Sequence, residues 1–325
     1  MLCSTPLNGS QKPNRVNLTS PTINRVTLCV SAACCLLALL YAFVLFNARL
    51  NIDTLISNWY LLFVGIFGAT IANASGTGGG VVFLPVFNAM NESGQFALSQ
   101  ANILAASFLI QCFGMTMGAI VWCKNLYKPN TQSISISTSD FWNSAGLILL
   151  LAIPTMLLTQ YWVFIDPFWV LFAFKIFSIC LGIAVVVSTL KNANQPNNTL
   201  KTQISSQDMR ILLCLAPIGG FANALFSVGL GEIIALFLFV RGYCITTSSG
   251  LAVFISSISV LIGAPFHIFA GNVPWMIIAI TAPGALIGGF IARKIALSLG
   301  AFKLKLLAGG WIAISGILLL FFKVN

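Results

Sequence analysis

A chain of 325 residues that is 58% hydrophobic and only 7% charged cannot be a water-soluble domain, where about a quarter of the side chains carry charge. The same composition excludes intrinsic disorder, a collagen-like fibre and a secreted disulfide scaffold. A net charge of +10 would point to nucleic acid in a soluble protein, but in a membrane protein Lys and Arg mark cytoplasmic loops, so no nucleic-acid partner is expected and the lipid bilayer takes its place.

The chain opens with a polar segment, residues 1–25, whose charges are Lys12, Arg15 and Arg25. Residues 26–46 are apolar and, at ~1.5 Å per residue, span about 31 Å as a helix, enough for a bilayer core. That run is longer than the apolar region of a signal peptide and is read as an uncleaved extra transmembrane helix; the acid-poor, Ser/Thr-containing start leaves an organelle transit peptide open. Six more spans are predicted at 98–122, 141–160, 167–190, 245–270, 274–292 and 302–322. Between them, 59–90 and 211–240 are apolar but broken at their centres by Gly76-Thr77-Gly78-Gly79-Gly80 and by Gly229-Leu230-Gly231. Irregular backbone at membrane depth survives only where protein buries it or where it lines a cavity.

Loop charge decides whether the broken stretches cross or turn back. With a cytoplasmic N-terminus and both stretches returning to the side they entered, thirteen basic residues are cytoplasmic and only Arg49 and Lys323 fall outside, with Lys175 inside a span. If both cross once, the split is eight against seven. The positive-inside rule favours two re-entrant hairpins. The same parity reveals a duplication: Ile71-Ala72-Asn73-Ala74 matches Phe221-Ala222-Asn223-Ala224, each followed by Ser and Gly, a half-helix and three crossings. The units start on opposite sides, so they are inverted repeats. The expected fold is an all-α polytopic membrane protein: the extra helix, a first repeat at 59–190, a cytoplasmic linker at 191–210 and a second repeat at 211–323. Secondary transporters are commonly built this way, with sites where the broken helices of both halves meet.

Half-helices that begin after glycine turns direct free N–H groups and positive dipole ends at a common point, which suits a small anion. The expected substrate-binding residues are Asn73, Ser75, Thr77, Gly78, Gly79 and Gly80 in the first break, and Asn223, Ser227, Gly229 and Gly231 in the second. At Gly78 and Gly229 glycine is expected because the backbone needs φ > 0 or must come close to a ligand. The bland alternative is that these glycines only let helices pack closely. Glu232 is the sole acid expected within the membrane, where an ionised carboxylate costs about 2.5–3.5 kcal/mol. Two roles stay open for it: proton coupling, or capping the half-helix that begins beside Gly231.

Other residues carry less. Lys175 can snorkel to the interface, His267 is read as structural, and the nine cysteines show no metal or redox spacing. With one histidine and scattered acids, no metal site and no cofactor are expected. An intramembrane serine protease would have to pair Ser75 with His267, a remote alternative. An anion channel is the nearer one, since re-entrant hairpins also build pores.

Gly68, the run Ala74 to Gly80 and Pro85, with a second copy from Gly219-Gly220 to Gly229-Leu230-Gly231-Glu232, resemble the duplicated signature of the TauE/SafE family of sulfite and organosulfur-anion permeases. Asp166-Pro167, leading into the span with Lys175, Phe177 and Gly182, resembles the end of that family's first repeat. The likeness covers roughly 59–322 and leaves the N-terminal helix outside. It departs at Glu232, where the second copy more commonly has glycine, and in lacking a proline. The resemblance implies a permease in the cell membrane, not an enzyme, moving sulfite, a sulfonate or another organosulfur anion; a homo-oligomer is compatible with it.

Overall fold

In the computed structural model of the protein, residues 20–127, 136–163, 166–193, 201 and 203–321 are described. Most of the polar N-terminal segment, residues 128–135 of the first long loop and 194–200 of the linker lie outside them, as does Lys323. The described residues are helical throughout, with no strand.

The helices are α1 (Ser20–Ala48), α2 (Ile52–Ser57), α3 (Leu61–Ser75), α4 (Gly80–Glu92), α5 (Gln100–Lys124), α6 (Thr138–Trp162), α7 (Pro167–Ala193), α8 (Ser206–Phe226), α9 (Leu230–Val240), α10 (Ile245–Phe269) and α11 (Trp275–Phe321). Helix α11 is two limbs bent at Gly300, which takes φ 74°. Among the described residues seven helices are long and apolar enough to cross a membrane, so the chain is an integral, multi-pass membrane protein. The set differs from the sequence expectation at two points: the expected span 302–322, the second limb of α11, is not among the seven, and α8 is. Helix α8, with 21 residues, is long enough to cross by itself because its Ser205 N-cap starts it within the linker, at Ser206 rather than near 211.

Length alone would make α8 a crossing, but its hydrogen bonds fold it back. Asp208, in its first turn and fully buried, accepts from Arg241 Nε at 2.5 Å and from the Tyr243 hydroxyl at 2.9 Å, and both donors lie just past the end of α9. Lys201 of the linker closes on the same carboxylate at 2.6 Å. The start of α8 and the end of α9 are therefore at one mouth. In the first stretch Tyr60, before α3, shares a surface groove with Met90 and Ser93 at the end of α4. Both broken stretches are hairpins.

Their mouths lie at opposite ends of the bundle. The first leads into α5, whose Asn102 donates to Asn272 O in the α10–α11 turn at 2.8 Å. The second leads into the start of α10, the other end of that 25-residue helix.

Small residues set the spacing, as expected where lipid supplies no hydrophobic drive between helices. Gly284 and Gly288 of α11 lie against the backbone of Leu62 and Ile66 in α3, Gly220 of α8 against Ala152 of α6, and Gly182 of α7 against Gly309 and Ala313 of the second α11 limb. Helix α5 is the most enclosed span, with 83% of its apolar window buried, whereas α1 is peripheral at 11%. Tyr41 of α1 nevertheless anchors to Ala279 O at 3.1 Å and Phe43 packs edge-on against Trp275.

Gly288→Leu should force α3 from α11 and lower the melting temperature of the detergent-purified protein, an overpacking cost of about 1–3 kcal/mol. Gly310→Ala, where a Cβ meets nothing within 4 Å, should melt like the unaltered protein. Equal melting of both variants would contradict this packing.

Candidate functional site

Each break is a short left-handed excursion between two helices. Helix α3 stops because Gly76 adopts φ 80° and returns its N–H to Ala72 O; Thr77, Gly78 and Gly79 follow, and α4 starts at Gly80. Helix α8 stops at Ser227, a non-glycine residue at φ 55° whose N–H bonds Asn223 O at 2.8 Å, and Gly229 at φ 118° turns the chain into α9. Positive φ thus falls at Gly76, Ser227 and Gly229. Gly78 does not share it, contrary to one half of the sequence expectation. Its reason for being glycine is crowding: a Cβ there would lie 3.3 Å from Gln111 Oε1, Glu232 Oε1 and Ser227 O.

The two breaks touch. A Cβ on Gly80 would lie 2.6 Å from Ser227 O, and one on Gly231 2.6 Å from Gly76 O. Glu232 joins them covalently unlinked but firmly: Oε2 accepts the Gly229 N–H at 2.7 Å, capping α9, and Oε1 accepts the Gly78 N–H of the opposite hairpin at 2.6 Å. The side chain is 2% exposed, so these two N–H groups and the positive end of α9 replace its hydration. The capping role is therefore present, and it extends across both hairpins.

Gln111 of α5 is a second bridge that the sequence reading missed. Its Oε1 accepts the Gly79 N–H at 2.6 Å, while Nε2 donates to Ser227 Oγ at 2.6 Å and to Ser227 O at 3.2 Å. Its sequence signal was a lone amide at the centre of an apolar span, the kind of residue that membranes tolerate only with a partner.

The structure brings Gly78, Gly79, Gly80, Ser227, Gly229, Gly231 and Glu232 to one point. Ser75 and Thr77, whose hydroxyls lie 2.7 Å apart, stand at the edge of a small cavity that Glu232 and Lys305 also line. Asn73 and Asn223 stay outside this contact. Asn73 donates to Ala69 O and lies against Gly118 of α5, whereas Asn223 donates to Ser259 Oγ and Met156 Sδ. The buried Asn73 Oδ1 has no partner. Lys305 is on the second limb of α11, with Nζ 4.1 Å from the centroid of the Phe239 ring.

Ser75 donates to Ile71 O, and His267 packs on Phe108 and Phe266 with its Nε2 unpartnered. No hydrogen bond joins Ser75 to His267. No group of three or more His, Cys, Asp or Glu able to hold a metal occurs among the described residues.

The family model described as "Sulfite exporter TauE/SafE" matches residues 60–319. The chain belongs to the TauE/SafE family. The match begins at the mouth of the first hairpin and ends within the last limb of α11, so α1 is an addition to the family unit. No curated protein and no solved structure matches the chain. Family membership makes the protein a membrane transporter.

Glu232→Gln should destabilise the fold, because the amide offers one oxygen for two N–H groups and turns its NH₂ toward the other. Leaving one buried donor unpaired costs about 1–3 kcal/mol. A melting temperature equal to that of the unaltered protein would remove the double cap.

Proposed function

We propose that the protein is a secondary permease for a small anion, sulfite, a sulfonate or another organosulfur compound, driven by proton exchange at Glu232. One observation carries this reading: peptide N–H groups from two separate hairpins converge on a single carboxylate. A pair of oxygens from a sulfite or sulfonate group has the same acceptor chemistry and would bind the same donors. Ionised Glu232 is thus the substrate's competitor. Protonated, it is a weaker acceptor and carries no charge, so it gives up Gly78 and Gly229, and the anion takes them. Proton and anion then travel together, and the cost of carrying bare charge through the bilayer is reduced.

We read the two units, each a hairpin plus three crossings, as inverted repeats that alternate access around this contact. The near-complete burial of both breaks supports a carrier in a closed state over an open channel. The N-terminus is taken as cytoplasmic in the cell membrane. On that topology, single cysteines placed in 123–140 should resist membrane-impermeant reagents applied outside, and their ready labelling would overturn the arrangement.

In proteoliposomes, labelled sulfite or methanesulfonate should enter faster when the substrate side is made acidic. Methanesulfonate keeps its single charge across the pH range used, so its response reports the protein. Lower pH should lower its half-saturation concentration, since protonation removes the internal competitor. Glu232→Gln should exchange substrate across the membrane yet lose the pH response. A variant with normal pH-driven uptake would eliminate Glu232 as the coupling group.

A further inference from the structure

We infer that Lys305 is the cationic side chain that receives the anion on its way to the two breaks, holding it against the hydroxyl of Thr77. The inference rests on the permease reading and adds a residue to it. Three observations support it. Lys305, Glu232, Ser75 and Thr77 all line one cavity. Among the described residues Lys305 forms no ion pair; its Nζ lies over the Phe239 ring, 4.1 Å from the centroid, in a contact that stabilises a cation while leaving its N–H groups available. The limb that bears it follows the bend at Gly300, where a Cβ would meet nothing within 4 Å.

Electrostatics explains why a cation is needed here. An anion approaching the breaks meets the Glu232 carboxylate in the lining of the same cavity, and in a medium of low dielectric that repulsion is large. Lys305 offsets it. Ser75 already donates its one hydrogen to Ile71 O, so Thr77 is the donor in the 2.7 Å contact between the two hydroxyls, and it can turn that hydrogen to an arriving oxygen without breaking a backbone bond. Leu236 and Phe239 make the remaining wall apolar, which suits the carbon of a small organic anion. The cavity holds about 30 Å³, the room of roughly two waters. An anion enters only if the walls part, and the limb carrying Lys305 is the one with a bend beside it.

The test uses the full chain, purified and in proteoliposomes, with sulfite and methanesulfonate as probes. Lys305→Gln should raise the half-saturation concentration about tenfold or more, the usual scale for losing a charge-assisted hydrogen bond, with a smaller change in maximal rate. It should also abolish the thermal stabilisation of detergent-purified protein by either anion. Lys305→Arg, which keeps the charge, should restore both, and this separates a lost charge from a damaged fold. If unaltered protein transports the anions and Lys305→Gln matches it in half-saturation and stabilisation, the assignment of Lys305 is overturned while the permease reading stands. If unaltered protein neither transports nor is stabilised by either anion, the permease reading fails and Lys305 falls with it.

Discussion

A peptide group inside a bilayer has no water to turn to, so every N–H freed by breaking a helix must find an acceptor in the protein. This protein breaks two helices in its buried interior and meets the requirement by crossing them. Gly78 and Gly229 donate to the two oxygens of Glu232, and Gly79 donates to Gln111, which itself donates to Ser227. Neither hairpin is complete without the other. The glycines, the close helix spacing and the central position of α5 all serve to bring these few groups within hydrogen-bonding reach.

That arrangement constrains the surroundings. Gly80 and Gly231 have no room for a side chain because carbonyl oxygens of the opposite break lie against them. Helix α5 must be enclosed because it delivers Gln111 to the crossing, and α11 must come close to α3 because the hairpin it supports has only 15 and 13 residues in its two arms. Packing through Gly284 and Gly288 gives that approach without bulky side chains. At the far end of the second hairpin, buried Asp208 gathers Lys201, Arg241 and Tyr243, so the mouth of the hairpin is tied by charge while its tip is tied by peptide groups.

Much of this was legible in the sequence because it depends on composition and spacing. Loop lysines and arginines required the two broken stretches to turn back, and the duplicated Asn and Gly pattern located both breaks. The start of α8 was misjudged because its first turn is polar, and hydropathy passes over a turn that Ser205 caps and Asp208 anchors. Gln111 was missed because an amide in an apolar span gives no sign of its partner until α5 is laid across both breaks. Asn73 and Asn223 show the limit of repetition as a guide. They match in sequence, yet each faces its own neighbouring helices and neither enters the contact between the breaks.

The bond from Gly78 to Glu232 spans 154 residues of chain. At ~5–20 residues per second, a ribosome needs roughly 8–30 s to make that interval. The first hairpin enters the membrane before its acceptor exists. Gln111, only 32 residues beyond Gly79, arrives far sooner and can hold that tip while the second half is synthesised. The order of synthesis thus lets the amide on α5 act first, and the nascent chain passes through a window in which the acceptor of Gly78 is still being translated.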